Sequence, residues 1–434
     1  MTAHPARVAG PASVDELCAL VAGAAAAGRR VRMVGSGHSF TDVAATDGLL
    51  LRPERLSGIE AVDAGSGRVT VLAGTPLHAL GPALFARGLA MPNLGDIDRQ
   101  TIAGAVSTGT HGTGLRFGGL ASQVLALELV SPSGELVAVS QESDPDGFAA
   151  ARVGLGAFGV LARLTLQCVP AFGLRAVERP MPLDAVLEDL DSFAASADHT
   201  EFYWFPHTRR VLTKANTRVP LDGLEPLPGW RHRLDDEFLS NTCFEGVNRL
   251  TARWPAIIPR VNALSARALT ARSYSDRSYR VFTSPRRVVF RELEYAVPRA
   301  ALAGVLRELD GWLARSGELV AFPAEVRFAP AEEAWLATSF GRETAYLAVH
   351  QYHRREHARY FDAVEAITAA VGGRPHWGKL HSLDAARLRP RYPRLDDAVA
   401  VRDRLDPDGV FGNAYTDRVL GPPPNPRPTE EELR

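Results

Sequence analysis

The chain has 434 residues, 46% of them hydrophobic, with 49 Lys+Arg against 50 Asp+Glu and a formal net charge of −1. That length is too great for one ordinary core and points to two or three domains, while the balanced charge excludes nucleic acid or an anionic membrane as the main partner and leaves room only for a local basic patch. Cys18, Cys168 and Cys243 are widely spaced with no C-x-x-C, which excludes a disulfide framework or a structural zinc site, sets no metal-ligand spacing, and suits a reducing, cytoplasmic setting.

Taken in chain order, Ser13 followed by Glu16 spells a helix cap, so "LCALVAGAAAAG" (17–28) reads as a helix rather than a signal-peptide core. "RVRMVG" (30–35) and "GRVTVLAG" (67–74) read as strands, and 76–88 as a helix closed by Gly88. Residues 123–140 form a hairpin with a Ser-Gly turn, and 159–170 a strand ended by proline. From about 171 the texture changes. A helix is predicted over 181–197, paired strands over 199–208 and 209–217, and no periodicity is legible over 218–290. A strand at 289–298, a helix at 299–317, facing strands at 321–330 and 344–353, and a helix at 355–373 follow. The tail from Gly421 has the composition of a disordered segment. No run approaches the roughly 18–20 apolar residues of a membrane span. The fold class is α+β.

Three glycine loops stand out. Gly35-Ser36-Gly37-His38-Ser39 follows a strand, where glycines let backbone approach a ligand and aim N–H groups at an anion. It lacks the third glycine of a dinucleotide fingerprint, so alone it reads equally well as a tight turn with a surface histidine. "MPNLGDIDRQTIAGAVSTGTHGTG" (91–114) has five glycines and small hydroxyl residues, suited to wrapping a flat, extended ligand. "GLGAFGV" (154–160) again puts glycine before a strand. Three such loops in one region suggest one large cofactor with a diphosphate.

With these stretches, "WFPHT" (204–208), "AEVRF" (324–328), "GGRPHWGK" (372–379) and "LDPDGVFGNAY" (405–415), the chain resembles the vanillyl-alcohol-oxidase family of FAD enzymes, and within it the aldonolactone oxidase group. The resemblance keeps its order over about residues 10 to 420. It implies a two-part FAD-binding domain (1–170), an antiparallel-sheet substrate domain covering the flavin (171–372), a C-terminal segment returning to the flavin (373–420) and a tail (421–434). It implies FAD contacts at Gly35, Ser36, Gly37, His38 and Ser39, at Gly95, Asp96, Thr101, Gly104, Ala105, Val106, Ser107, Thr108, His111 and Gly112, and at Gly159 and Val160. His38 inherits a covalent bond to the flavin. Gly95 aligns beside the flavin C4a, where glycine leaves room for O2.

Glu325 and Arg327 are two apart in a strand and share one face, the arrangement of either a solvated ion pair or a functional pair. The resemblance puts both in the substrate pocket, with Lys379, Tyr352 and His350. "WFPHT" reads as structural. The implied activity is oxidation of a sugar 1,4-lactone at C2, with O2 reduced to H2O2. Rivals are an alditol oxidase, against which Asp96 weighs, a dehydrogenase with another acceptor, a tailoring oxidase on a non-sugar alcohol, and a flavin binder without turnover. The sequence sets no oligomeric state.

Overall fold

The computed structural model describes residues 4–427 and contains four sheets. The first is parallel, with Leu49–Leu51 between Arg7–Ala9 and Val31–Met33. Helix Val14–Ala26 backs it and starts where the cap predicts: Ser13 Oγ accepts from Glu16 N at 3.1 Å, and Glu16 reaches back to Ala12 N at 2.7 Å. The second sheet has five antiparallel strands, with Val160–Gln167 between Arg68–Leu72 and Val124–Val130, the latter paired to Leu136–Ser140 as the expected hairpin. Its apolar side packs on helix Leu77–Phe85. A two-stranded pair, Leu89–Ala90 with Val169–Pro170, closes this part.

The rest builds on one eight-stranded antiparallel sheet. Its order is Arg272–Arg277, Gly173–Pro182, Arg210–Val219, His199–Trp204, Ala324–Ala329, Thr344–Tyr352, Phe290–Pro298, Arg374–Pro375. Every residue of Ala324–Ala329 and Thr344–Tyr352 is buried. Val326, Phe328, Leu347, Val349, Leu293 and Tyr295 point to one side and join the core with helices Leu302–Ser316 and Ala358–Ala369. Alternation therefore sends Glu325, Arg327, Tyr346, His350, Glu292 and Glu294 to the other side, which is equally buried. A sheet covered on both sides yet polar on one is the main structural fact about this chain.

Two predicted boundaries move. The strand before the expected helix at 181–197 runs to Pro182, and the helix divides at Asp189 into Leu183–Glu188 and Leu190–Ala195. The aperiodic stretch contains helices Phe244–Arg253 and Ile258–Ala268 and the edge strand Arg272–Arg277.

The C-terminal segment returns to the first domain. Val31 N donates to Val410 O at 2.7 Å, and Asn413 Nδ2 donates to Asp42, Val43 and Ala45 carbonyls at 2.8–3.2 Å. Asp406 is fully buried and accepts from Val410 N and Phe411 N, which fixes the turn inside "LDPDGVFGNAY". Arg402 donates to Gly421 O and Pro422 O, and Arg427 donates to Ala25 O at 2.7 Å near the end of helix Val14–Ala26; the remainder of the expected disordered tail, 428–434, lies outside the described residues. No helix among the described residues is long and apolar enough to cross a membrane.

Candidate active site

A cleft of about 460 Å³ opens between the two sheets of the first domain and the C-terminal segment. Gly35, Ser36, Gly37, His38, Ser39, Thr101, Gly104, Ser107, Thr108, Gly159 and Val160 all line it. Its glycines serve different needs. A Cβ on Gly35 would lie 2.4 Å from Thr101 Oγ1, the atom that caps helix Ile102–Ser107 by accepting from Gly104 N. Gly37 has φ +71° with open space around it, a conformation that favours glycine. His38 therefore follows a loop whose backbone is set by Gly35 and Gly37. Partial burial, with Lys379 and Arg99 nearby, holds its imidazole below the usual histidine range.

Arg32 forms the floor. Its buried guanidinium donates to Phe411 O and Leu155 O at 2.6 Å, to Gly156 O at 3.0 Å, and to Val43 O. One side chain thus ties together three loops that surround the cleft. Burial lowers its pKa to about 10.

Beyond the cleft lies the polar side of the large sheet. Register places Glu201 opposite both Arg327 and Lys214, Tyr203 opposite Glu325, and Glu292 opposite His350. Arg327 is the hub. Its Nε donates to Glu201 at 3.0 Å, and its Nη2 lies 3.3 Å from Asp96 and against Glu325. Nη2 is thus held between two carboxylates, although neither contact has good hydrogen-bond geometry. Arg286 pairs with Asp96 at 2.5 Å and approaches Glu325 at 3.7 Å. Burial would raise Asp96 and Glu201, but the adjacent cations hold both below the ordinary carboxylate range. Glu325 goes the other way: burial, with Asp96 and Glu201 beside it, outweighs Arg327 and Arg286 and raises it.

A second group adjoins the glycine loop. Lys379 Nζ donates to Glu292 at 2.5 Å and sits 5.3 Å from the Phe40 ring, while Phe40 N donates to Gly378 O at 2.7 Å. Lys379 holds Glu292 down, at about 2, against the opposing effect of burial. His350 Nε2 lies 3.6 Å from Glu292, and its Nδ1 is 3.2 Å from Pro323 O.

The predicted site residues thus divide. Glu325, Arg327, Lys379 and His350 converge on one buried face. Tyr352 stands apart; its hydroxyl donates to Glu245 at 2.7 Å on helix Phe244–Arg253. Ala105 and Val106 are fully buried in the core rather than in the cleft. Asp96 sits in the ion cluster. Gly95 is buried, and a Cβ there would meet His111 O at 3.2 Å. Gly112 packs on the Leu94 backbone and the Asn93 side chain, with a Cβ 2.3 Å from Leu94 O. His111 turns to the sheet, its Nε2 2.9 Å from Glu294 and its ring stacked 3.5 Å from that of Tyr346. The ligand atoms of His111, Glu294 and His376 all lie within 4.8 Å, a grouping that sequence spacing does not reveal. His111 and Glu294 already bond each other, and Gly378 N donates to His376 Nδ1 at 3.1 Å.

Sequence reasoning did not single out Arg32, Glu201, Tyr203, Lys214, Arg286, Glu292 or Glu294. The available signal was acidic residues at period two within otherwise apolar strands, "ELE" (292–294) and "EFY" (201–203). Trp204 of "WFPHT" is structural as expected, fully buried with Nε1 donating to Thr208 O.

Residues 5–140 match the family described as FAD binding domain, and residues 164–419 that described as D-arabinono-1,4-lactone oxidase. An L-gulono-1,4-lactone dehydrogenase of Mycobacterium tuberculosis is 44% identical over 96% of both chains. An L-gulonolactone oxidase of Bos taurus is 34% identical over 94% of both. Cholesterol oxidase from Brevibacterium sterolicum shares the fold, with a TM-score of 0.80 and 18% identity over 95% of this chain and 94% of that one. The cofactor is FAD, and the cleft fits it. Its volume lies within the roughly 300–1,000 Å³ of ligand sites, its walls are backbone and small side chains, and the 35–39 backbone would hold the diphosphate.

Proposed function

Because the chain belongs to the aldonolactone oxidase family of FAD enzymes, we propose that it oxidises the C2 alcohol of a sugar 1,4-lactone to the ketone, which enolises to an ascorbate-like product. The observation that carries this reading is the buried face holding Arg327, Glu325 and Lys379 beside the cleft. FAD, when bound, supplies the hydride acceptor, tethered through His38, and passes its electrons to O2 to give H2O2. Arg327 and Lys379 stabilise the oxygen as its charge develops; one such preorganised charge contributes about 10²–10³ in rate. Glu325 accepts hydrogen bonds from the lactone hydroxyls. The hydroxyl proton leaves to a group on this face, where His350 Nε2 is turned to Glu292 at 3.6 Å. The free cysteines suit a cytoplasmic setting for this chemistry.

The test is a steady-state screen of L-gulono-1,4-lactone, D-arabinono-1,4-lactone, xylitol and sorbitol, with peroxide detection and product analysis. Turnover of lactones with peroxide supports the proposal; preference for polyols contradicts it. A second reading, a dehydrogenase, is favoured by the name of the 44% identical relative. It is adopted if lactone turnover needs an artificial dye and yields no peroxide.

A further inference from the structure

One row of charge crosses the large sheet. Register sets Arg327 opposite Glu201, Glu201 opposite Lys214, Lys214 opposite Glu178, and Glu178 opposite Arg272. Residues directly opposite on neighbouring strands share a face. Five adjacent strands therefore contribute one side chain each, and the signs alternate from the candidate active site to the sheet edge. Over the outer three strands the rows on either side carry no charge: Pro180 stands opposite Leu212, and Ala176 stands opposite both Asn216 and Tyr274.

The contacts follow the register. Arg272 holds Glu178 by two bonds, at 2.7 and 2.9 Å. Lys214 Nζ lies 3.6 Å from Glu201 Oε1, while Arg327 Nε donates to Glu201 Oε2 at 3.0 Å. One carboxylate is thus divided between two cations, an oxygen to each. Glu178, Glu201 and Arg327 are buried, and the Lys214 side chain is only 13% exposed. Burial opposes the charge on Lys214, but Glu201, Tyr274 and Glu178 outweigh it and raise its pKa.

Stability does not account for such a row. Replacing buried ion pairs by apolar side chains of similar volume often leaves a protein as stable or more so. Lys214 and Glu178 also stand two and three strands away from Arg327 rather than beside it. What they can set is how much of the Glu201 charge falls on Arg327.

We propose that Lys214 is a positioning residue for lactone oxidation: by taking part of the Glu201 charge it leaves more of the Arg327 charge for the substrate oxygen, and Glu178, anchored by Arg272, tempers Lys214 in turn. The inference rests on the reading of Arg327 given above. In that reaction the C–O bond becomes C=O as the hydroxyl proton leaves and the C2 hydrogen passes, with its electron pair, to FAD. The oxygen is negative to the extent that its proton leaves first. A cation two strands away favours that charge, and an anion three strands away opposes it. Neutralising Lys214 should therefore slow the reaction and neutralising Glu178 should speed it. A role confined to holding the sheet together gives no such opposite signs.

The experiment is anaerobic stopped-flow reduction of the flavin in the FAD-loaded protein by L-gulono-1,4-lactone, with urea unfolding measured beside it. With strands about 4.8 Å apart and an effective dielectric near 20, Lys214→Met should be on the order of tenfold slower than the parent and Glu178→Gln about threefold faster. Lys214→Arg keeps the charge and should stay within about twofold of the parent. Both neutral variants should unfold at lower urea, so rate and stability part company in Glu178→Gln. That variant keeps the size of the side chain and can still accept from Arg272, so it decides the sign even if Lys214→Met fails to hold FAD. Rates that fall in both neutral variants, or that do not change, overturn the proposal, as does Lys214→Arg being as slow as Lys214→Met. A parent that the lactone does not reduce overturns the functional reading instead, and the same comparison is then made with xylitol; a parent reduced by neither contradicts both.

Discussion

Replacing Arg327 by methionine keeps the length of the side chain and removes its charge. Three carboxylates, Asp96, Glu201 and Glu325, then surround a neutral group in a buried site. Two unit charges about 4 Å apart interact by about 4 kcal/mol at an effective dielectric near 20, and removing one partner of a buried pair costs roughly 3–5 kcal/mol. Arg286 still neutralises Asp96 at 2.5 Å, and Lys214 still faces Glu201 at 3.6 Å, so the lower end, about 3 kcal/mol, is expected. Adding Glu201→Gln removes the surplus negative charge and should restore at least about 1 kcal/mol, within the usual coupling between contacting residues. Flavin reduction by the lactone should not follow the same course. Both the single and the double variant should be about 10²–10³ slower than the parent, because neither has the donor that meets the substrate oxygen. Urea unfolding of the FAD-loaded protein measures the first quantity and anaerobic stopped-flow mixing the second. Recovery of the rate along with stability in the double variant would refute the reasoning, since Arg327 would then act only by holding the sheet together.

Glu325→Gln should show a pH-dependent gain in stability. The folded-state pKa of Glu325 is raised above its ordinary 4.5, so the folded parent holds an extra proton in that window, and the stability this contributes is lost as pH rises through the raised value. The difference in melting temperature between variant and parent should therefore grow across that window and then level off; a difference independent of pH would contradict the assignment. Arg32→Leu leaves four backbone carbonyls without their donor and should cost more than about 3 kcal/mol and weaken FAD retention. Parental stability and flavin content in that variant would show that the cleft loops hold themselves. His38→Ala should release its flavin into the supernatant on acid precipitation while the parent keeps it in the pellet; parental flavin in the supernatant would remove the covalent bond and leave FAD binding intact.

The elements legible in the sequence are those whose burial obeys one rule. Helix Val14–Ala26 carries its own cap, and Val124–Ser140 carries its own turn, so local chemistry and tertiary packing agree there. The 218–290 stretch is illegible because its helices expose tryptophan and leucine and bury asparagine and threonine, which erases the usual period. The glycine loop at 35–39 was readable because a ligand cradle needs glycine whatever surrounds it. The ion cluster was readable only in part. Glu325 and Arg327 sit side by side in one strand, whereas Arg286 and Asp96 come from separate loops and meet only in the fold. Glu292 and Glu294 look like the outer side of a half-exposed strand, and nothing local tells that a second domain covers that side. Tyr352 shares its strand face with His350, but two residues along a strand is far enough to pass from the charged face to the neighbourhood of Glu245.

The central claim is that the buried face of Arg327, Glu325 and Lys379 delivers a lactone, and not an open polyol, to FAD. Anaerobic mixing of the FAD-loaded protein with L-gulono-1,4-lactone or with xylitol, followed by the visible absorbance of the flavin, tests it most directly. Rapid bleaching by the lactone, little by xylitol, and loss of the lactone signal in Lys379→Met without loss of bound FAD are expected. Faster bleaching by xylitol, or parental bleaching by the lactone in Lys379→Met, would contradict it.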